Sequence, residues 1–566
     1  MKQKLIRATA LTMSMLMLGV TALTGCSNQE EGKTTTSSTT EASTAKDTET
    51  GTQVSSSETG NKPEVPDNFN EEGLPILKEK ETFTIAVIQT SALKAAADKA
   101  CVLETEEATN VHIEWVEIPK SGWTEKVNIM FSTDSMPDAI IGDVDMARNY
   151  EQLLALDDYL EAFAPNVTAF FDTRDDYPNA LRSPDGTVRA LPIGDESMQN
   201  IIDSQLWINQ KWLDALNLEM PQTPEELKNV LIAFRDKDPN GNGEKDEIPF
   251  TFKNAWGWGD AIENLFGAWG VLENGYHVFT QDGKVTFSAK EQGYYDTLSY
   301  LNDLYKEGLI DKDVFTLSDD QYAARGASAD VIGVFAGYNP SNGVGVQNAE
   351  DYRVVPVLKQ ADGKQMVGIN NVTKTGGFVI NKNCKNPAAL VRWYDYINSS
   401  LEMSLKWGRG AEGVWWNILE ENGKEIPQFL SMDSDILAAN GGYKSKAEYR
   451  QAESFAGQTP SLWRFEYDEA LVYDDKWPKD YKLEAVKEQI QYGVVGLPAG
   501  IVSQENEERR SILSTDIDTY LKKFVADSVI NGIDDAKWQK HLKTLEDLKV
   551  DEYTQLCQEL VDFVTN

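Results

Sequence analysis

Apolar positions beyond residue 80 follow two alternating periods. Residues 82–88 (TFTIAVI) form a short β-rich run, and 111–118 (VHIEWVEI) alternate apolar and polar with period two. Residues 138–141 (DAII) are a third, continuously apolar run. Between these runs, 91–109 and 123–131 (WTEKVNIMF) have helical spacing. Strand, helix, strand, helix, strand predicts a parallel sheet of the α/β class. Ligands of such sheets sit beyond the carboxyl ends of the strands. That singles out Gln89 and Thr90 after the first strand and Gly142 and Asp143 after the third. Further on, 153–163 (LLALDDYLEAF) reads as a helix. Thr223 predicts a helix start, with Pro224 at the first position and Glu226 at the third, a capping box opening a helix to Phe234. Residues 331–336 (VIGVFA) form an apolar strand, and the stretch 511–566 reads as amphipathic closing helices.

The first 66 residues have neither period. Lys2, Lys4 and Arg7 precede an apolar run at 11–23 (LTMSMLMLGVTAL), which has the length of a signal peptide and is too short for a comfortable transmembrane helix. It ends in Leu23-Thr24-Gly25-Cys26, which resembles the lipobox of bacterial lipoproteins. That resemblance implies a lipidated Cys26 as the mature N-terminus, and dual acylation suffices for stable anchoring. Residues 27–66 are rich in Ser, Thr and Glu. Such a segment cannot bury enough apolar area to offset its ordering entropy, so it predicts a flexible tether with a reach of about 35 Å. A long tether suits a wall-crossing, Gram-positive type surface.

Composition narrows the chemistry. The chain has 566 residues, enough for two or more lobes. Its 53 basic and 91 acidic residues give a formal charge of −38, which repels phosphate backbones and argues against nucleic-acid binding. It also disfavours an anionic glycan, which would need Arg and Lys in the binding cleft. With three His in all, a His-rich transition-metal site is excluded, and His112, His277 and His541 read as local hydrogen-bonding residues. Cys101, Cys384 and Cys557 are widely separated and read as small hydrophobes rather than disulfide partners.

The order and spacing of several segments resemble the extracellular solute-binding lipoproteins of ABC transporters, in the sugar- and oligosaccharide-binding branch. The residues that carry this are 123–141 (WTEKVNIMFSTDSMPDAII), 153–160 (LLALDDYL), 206–218 (LWINQKWLDALNL), 221–227 (PQTPEEL) and 375–397 (TGGFVINKNCKNPAALVRWYDYI). The resemblance implies a two-lobed periplasmic-binding-protein-like fold of type II. Each lobe is then a mainly parallel sheet flanked by helices, with a hinge between them. It places a signal peptide at 1–25, the lipidated Cys26 and tether at 26–79, lobe 1 at 80–193 plus 375–408, and lobe 2 at 194–374 plus 409–566. Crossings are expected near 192–196, 373–377 and 408–413. Gly376 and Gly377 suit a hinge because they lack Cβ, and equally suit a loop before a strand.

Residues 236–247 (DKDPNGNGEKDE) alternate oxygen-bearing side chains with glycines, as a hard cation requires. Two registers fit, one starting at Asp238 and one at Asp236 with Glu247 at position 12. Related oligosaccharide-binding proteins carry a D-x-N-x-N-G-x-x-D-E calcium loop, and this resemblance implies the first register. Its ligands would be Asp238, Asn240, Asn242, the Glu244 carbonyl, Asp246 and Glu247, holding a structural Ca2+.

Sugars present apolar C–H faces and hydroxyl edges, so a sugar site needs aromatic platforms with a polar rim. Candidates are Trp256 and Trp258 in a Gly-rich stretch, Tyr338 where the family places a stacking aromatic, and Arg409, Trp415 and Trp416 in 408–416 (GRGAEGVWW), with Gln89 and Asp143 as polar contacts. Trp393, inside a helical run, reads as core. The resulting expectation is a monomeric, lipid-anchored, extracellular receptor that captures a sugar or oligosaccharide and delivers it intact to ABC permease subunits. The rivals are a surface glycoside hydrolase, for which 91 acidic residues supply carboxylates but no motif, and a sensor or adhesin without a permease.

Overall fold

The central strand of the first sheet, Glu81–Ile88, is buried along most of its length because it is paired on both sides. It runs parallel to Val111–Ile118 and to Ala139–Ile141, with Ile85 opposite Trp115 on one side and Ala139 on the other. Phe378–Ile380 closes the sheet antiparallel to Ala139–Ile141. The computed structural model describes residues 62–565 apart from 174–175, 194–196, 203–204, 254–261, 329, 371–374, 456 and 477–479. Cys26, Trp256 and Trp258 therefore lie outside the described residues.

Two helices are shorter than their sequence periods predict. The first occupies Ala100–Thr109 only, preceded by a 3-10 turn at Ala96–Asp98. Lys99 between them is extended, and its side chain turns away into the interior. The run at 153–163 becomes helical only at Asp157, because Leu153 bridges to Asn381 and the Leu156 amide donates to the Val188 carbonyl at 2.8 Å. Long-range backbone pairing overrides local period here. The capping box forms at Pro224–Asp236, where the Thr223 hydroxyl accepts from the Glu226 amide at 3.1 Å. The Glu226 carboxylate in turn accepts from the Gln222 amide at 2.8 Å, one residue earlier than the standard box.

The second sheet has the strand order Ile248–Thr251, Ile332–Gly337, Gln205–Asn209, Tyr352–Val354. Its first pair is parallel and the other two are antiparallel, so it is more mixed than the expected parallel arrangement. Gln205–Asn209 follows directly on the crossing from the first lobe and therefore enters this sheet against the direction of its neighbours.

Each sheet organises its own hydrophobic core. The first contains Ile85, Val87, Ile140, Trp393, Tyr394 and Trp407, with the Phe378 and Tyr394 rings stacked at 5.4 Å. The second contains Trp212, Phe234, Val334, Leu298, Ile517 and Cys557. A third cluster, built on Leu405, Trp415, Trp416, Tyr449 and Trp463, is separate from both. Gly408–Gly413 leads into this third cluster; the chain packs beside the second sheet again at Tyr481, next to Trp207 and Tyr352, and on the second core from Val494 onward. The folded body also begins before residue 80. Phe69, Ile76 and Leu77 are buried in the first core, Phe69 meets Phe163 edge to face at 5.1 Å, and so the last part of the stretch assigned to the tether is packed. Apolar side chains at these positions repay the ordering that the Ser/Thr-rich residues before them cannot.

Residues that flank the first two expected crossings lie side by side. Leu191 and Phe378 exchange both backbone hydrogen bonds at 2.8 Å. A Cβ on Gly377 would stand 2.2 Å from the Leu191 carbonyl oxygen, and one on Gly376 would meet the Val144 backbone at 2.9 Å. Close backbone approach, rather than unusual dihedrals, explains both glycines. Trp393 and the Cys101 and Cys557 thiols are buried, and Cys384 is half-buried. Among the described residues, no helix is long and apolar enough to cross a membrane.

Candidate ligand-binding site

The segment Met198–Asn200 emerges from the first crossing and acts as a hub. The Tyr338 hydroxyl, directly after the strand Ile332–Gly337, donates to the Asn200 side-chain oxygen at 2.5 Å. The Met198 amide donates to Asp468, and the Gln199 side chain donates to Asp480. Asp468 is buried and also accepts from the Trp463 indole N–H at 3.0 Å. Asp480 accepts from the Tyr473 hydroxyl at 3.3 Å and the Leu483 amide at 3.0 Å. The hub thus ties the second lobe to the segment carrying the third cluster.

Aromatic rings and cations surround this hub. Lys482 on the helix Tyr481–Gln489 places its ammonium 3.2 Å from the Tyr338 ring centre, and Arg353 lies 3.5 Å from the Tyr481 ring. Arg409, buried at the end of the helix Leu401–Arg409, sits 4.9 Å from Trp463, 5.2 Å from Phe429 and 5.6 Å from Trp415. Lys446 and Arg450 approach the same Trp415 ring at 4.4 and 5.7 Å. Burial, and then the neighbouring Arg409 and Arg450, pull the Lys446 pKa down to about 7. The carboxyl end of the first strand reaches this region, because the Thr90 hydroxyl donates to the Gln451 carbonyl at 3.0 Å. A groove of about 590 Å3 opens where the loop 144–148 faces 500–512, walled by Thr375 and spanned at 3.0 Å by Arg148 and Glu508.

Of the residues singled out by sequence, Tyr338, Arg409 and Trp415 stand in this aromatic and cationic neighbourhood. Trp416 is fully buried with its indole donating to the Gly410 carbonyl at 2.9 Å, so it builds the third core and leaves the candidate set. Gln89 and Asp143 are exposed at strand ends, engaged through their backbones with Ile118 and with the Trp123 indole. Asn200, Lys446, Arg450, Trp463, Asp468 and Lys482 were missed. They are scattered over almost 300 positions without a motif, and the Lys446–Arg450 spacing on one helix is the single local signal that could have found a pair of them.

The loop at 238–247 folds its oxygens inward. Asp238 has φ +45° and accepts from the amides of Asn242 and Gly243 at 3.1 and 3.0 Å. Asn240 and Asn242 oxygens accept from the amides of Asn242 and Glu244 at 3.0 and 2.6 Å. Gly241 and Gly243 take positive φ to allow this curl. The Asp246 carboxylate accepts from the Asn242 side-chain amide at 3.1 Å. One Glu247 oxygen is buried without a hydrogen-bond partner, and burial followed by the nearby Asp246 and Asp238 pushes this carboxyl's pKa up. Asp236 pairs with the neighbouring Arg235 at 2.8 Å. Among the described residues, no three His, Cys, Asp or Glu side chains are gathered closely enough to form a metal cluster by themselves. The oxygen set, with its orphaned Glu247 carboxylate and like-charged neighbours, fits a hard cation that takes amide and carbonyl oxygens as well.

Two α/β lobes joined by adjacent crossings, with aromatic rings and polar groups gathered beside the first crossing, define a ligand-capturing receptor of type II architecture. Residues 87–400 match the bacterial extracellular solute-binding proteins, and the chain belongs to that family. It is 30% identical over 512 residues, 86% of this chain and 91% of the relative, to the fructooligosaccharide ABC transporter substrate-binding protein FusA of Streptococcus pneumoniae. Solved structures of FusA with kestose, and of a FusA EF-hand mutant with fructo-nystose, match at 27% identity and a TM-score of 0.66, covering 85% of this chain and 99% of FusA. An HMO-binding, ABC-transporter-associated solute-binding protein of Bifidobacterium longum infantis shares the fold at 20% identity and a TM-score of 0.73, covering 86% and 99%.

Proposed function

We propose that this protein captures an oligosaccharide between its two lobes outside the cell and hands it intact to an ABC importer. The observation that carries this reading is the convergence of Tyr338, Trp415, Trp463 and Arg409 around the crossing-derived hub Met198–Asn200. Aromatic faces would stack on sugar rings, and a ligand touching both lobes at once would gain its full contacts only in the closed state. The likeness to FusA supports a sugar cargo and an importer partner. Lobe 1 is built on the first core and lobe 2 on the second, with the third cluster at 401–473 as a wall of the cleft. Cys26 would carry the lipid that anchors the chain to the outer face of the membrane. Trp256, Trp258, Gln89 and Asp143 remain proposed contacts. No hydrolysis enters this mechanism, because the ligand is released unchanged.

The loop at Asp238, Asn240, Asn242, Glu244, Asp246 and Glu247 is proposed to bind Ca2+ as a structural ion. Its charge would neutralise clustered carboxylates and give the Glu247 oxygen a partner; the EF-hand named in the FusA structure supports this.

Both readings are tested by thermal unfolding of the full chain against a panel of mono- and oligosaccharides. A bound ligand at 100 times its Kd contributes about 2.7 kcal/mol, so a binding sugar raises Tm measurably, and chromatography of the sugar afterwards shows it uncleaved. Tyr338→Ala is expected to weaken that binding about ten-fold or more. Addition of EDTA is expected to lower Tm by several degrees, with Ca2+ restoring it and Mg2+ doing so poorly. Cleavage products would replace the receptor reading with the hydrolase, and a Tm indifferent to EDTA would remove the ion.

A further inference from the structure

Two stretches of chain build the third cluster into the first core. The helix Leu401–Arg409 is a shared wall, with Trp407 in the first core and Leu401 and Leu405 in the third cluster. Residues 449–463 repeat the arrangement, with Phe455 and Leu462 in the first core and Tyr449 and Trp463 in the third cluster. Phe455 stacks on Trp407 at 5.2 Å and meets Trp115 of the strand Val111–Ile118 at 5.1 Å. Buried hydrogen bonds run along the same seam. The Asn398 side chain donates to the Pro460 carbonyl at 3.1 Å and accepts from the Leu462 amide at 2.8 Å, and the Ser461 hydroxyl donates to the Ile397 carbonyl at 2.8 Å. Lys99 donates to the carbonyls of Gln451, Ala452 and Ser454, and Lys94 and Lys406 pair with Glu453 and Glu104 at 2.6 and 2.8 Å. Stretches that serve both clusters cannot slide on the first core without opening it, because interiors are close-packed. The chain changes company after Asp474. Val472 and Tyr473 pair with the third-cluster strand Lys424–Phe429, and the Asp474 carboxylate accepts from the Ser431 amide and hydroxyl, each at 2.7 Å. Asp480 caps the next helix, Tyr481–Gln489, by accepting from the Leu483 amide at 3.0 Å. That helix is packed on the second lobe: Leu483 and Val486 are buried with Ile201, Val357 and Val367, and Gln489 donates to the Val355 carbonyl at 3.2 Å.

We propose that residues 401–473 travel with lobe 1 as one rigid body, and that the third crossing between the lobes falls between Asp474 and Asp480 rather than at 408–413. This rests on the receptor reading above and assigns the walls of its cleft. Trp415, Trp463 and Arg409 stand on the lobe 1 side, and Tyr338 with Lys482 forms the lobe 2 side that swings towards them. A hinge is a short run that absorbs dihedral change between packed elements, and the run after Asp474 is anchored to a different body at each end. Gly408–Gly413, in contrast, is held within one body. The Trp416 indole donates to the Gly410 carbonyl at 2.9 Å, the Gly413 amide donates to the Trp416 carbonyl at 2.8 Å, and the Ala411 amide donates to the Tyr449 hydroxyl at 3.2 Å. Gly410 and Gly413 have positive φ, so this segment needs its glycines for a fixed turn. The bonds from Met198 to Asp468 and from Gln199 to Asp480 then sit beside the first crossing, where the two bodies move least against each other.

The test is pulsed electron–electron double resonance on the full chain, with spin labels on introduced non-natural residues so that the native thiols stay untouched. Three exposed positions are labelled two at a time: Lys126 on the lobe 1 helix Trp123–Ser132, Lys424 on the third-cluster strand Lys424–Phe429, and Asn229 on the lobe 2 helix Pro224–Asp236. Each pair is recorded without sugar and with saturating kestose, and kestose binding is read separately from Tm. The Lys126–Lys424 distance is expected to be one narrow distribution that kestose leaves unchanged. The Asn229–Lys424 and Lys126–Asn229 distributions are expected to be broader without sugar, and to narrow and shift together when kestose binds. A Lys126–Lys424 distance that varies while Asn229–Lys424 holds would return the segment to lobe 2 and overturn the proposal. Variation in all three would make the cluster a third independent body, and three narrow, unchanged distributions would leave no crossing that flexes; each overturns it too. Failure of every saccharide to raise Tm would overturn the receptor reading, while the widths recorded without sugar would still decide which lobe the segment follows.

Discussion

Lys99→Met is expected to destabilise the folded protein by about 3–5 kcal/mol, read as a shift in the urea midpoint and in Tm. Lys99 is completely buried. Its ammonium donates to the carbonyls of Gln451, Ala452 and Ser454 at 2.9, 2.8 and 2.9 Å. These are the last carbonyls of the helix Lys446–Glu453 and the residue after it, where the helix has no further amides of its own and its dipole is negative. Burial pulls the Lys99 pKa down to about 8, which still leaves it protonated at neutral pH with three N–H donors for three acceptors. Methionine fills the space but donates nothing, so the buried Ala452 and Ser454 carbonyls and the part-buried Gln451 carbonyl lose a charge-assisted bond at once. The helix end is also tied by Lys94 to Glu453 at 2.6 Å, but that pair is more open to solvent and contributes less. Because this helix carries Lys446 and Arg450, the variant should also weaken ligand binding from a residue that touches no ligand. A loss below about 1 kcal/mol would show that the helix end is held by its neighbours instead.

Lys99 also marks the boundary between what was legible in the sequence and what was not. The strands at 81–88, 111–118 and 139–141 were readable from local pattern: the edge strand 111–118 alternates with period two, and 85–87 and 139–141, paired on both sides, are continuously apolar. The cap at Thr223 was readable for the same reason, since donor and acceptor are three residues apart. Tyr338 was singled out because it follows the strand 331–336 at a place where the family resemblance puts a stacking aromatic. Lys99, in contrast, sits inside a helical pattern and is diverted by acceptors some 350 positions away. The mixed second sheet was invisible because strand direction depends on where the chain enters, which no local period records. The cationic wall was masked by the net charge, a sum over the whole chain that says nothing about where three of its cations meet.

Stability is expected to pass through a maximum near pH 6.5, bounded on either side by two buried histidines of opposite behaviour. His541 is sandwiched at 3.8 Å from Phe524 and 4.8 Å from Trp538. Its Nε2–H donates to the Ala289 carbonyl at 2.8 Å, and Nδ1 lies 3.0 Å from the Tyr520 hydroxyl, which donates to it when the ring is neutral. Burial lowers its pKa to about 4. In the unfolded chain the ring titrates near 6.5, so its contribution is complete above that pH and is lost as pH falls towards 4, about 3 kcal/mol in all. His277 behaves in the reverse sense. It is buried against Glu273 at 2.8 Å and faces Asp518 at 3.6 Å. Burial opposes its charge, but the two carboxylates prevail and raise its pKa to about 9, while His277 holds the Asp518 carboxyl below its usual range. A raised pKa means that this lock is complete below pH 6.5 and is lost as pH climbs through 9. Both histidines fasten the same packing, since Asp518, Tyr520 and Phe524 belong to the helix Gln504–Asn531 that backs the second core. Urea midpoints measured from pH 4 to 9.5 should therefore fall on both sides. His541→Leu should flatten the acid limb alone, and His277→Met the alkaline limb alone, whatever each does to absolute stability. An acid limb of unchanged slope in His541→Leu would transfer that limb to the carboxylates and leave the neutral stack without a role in it.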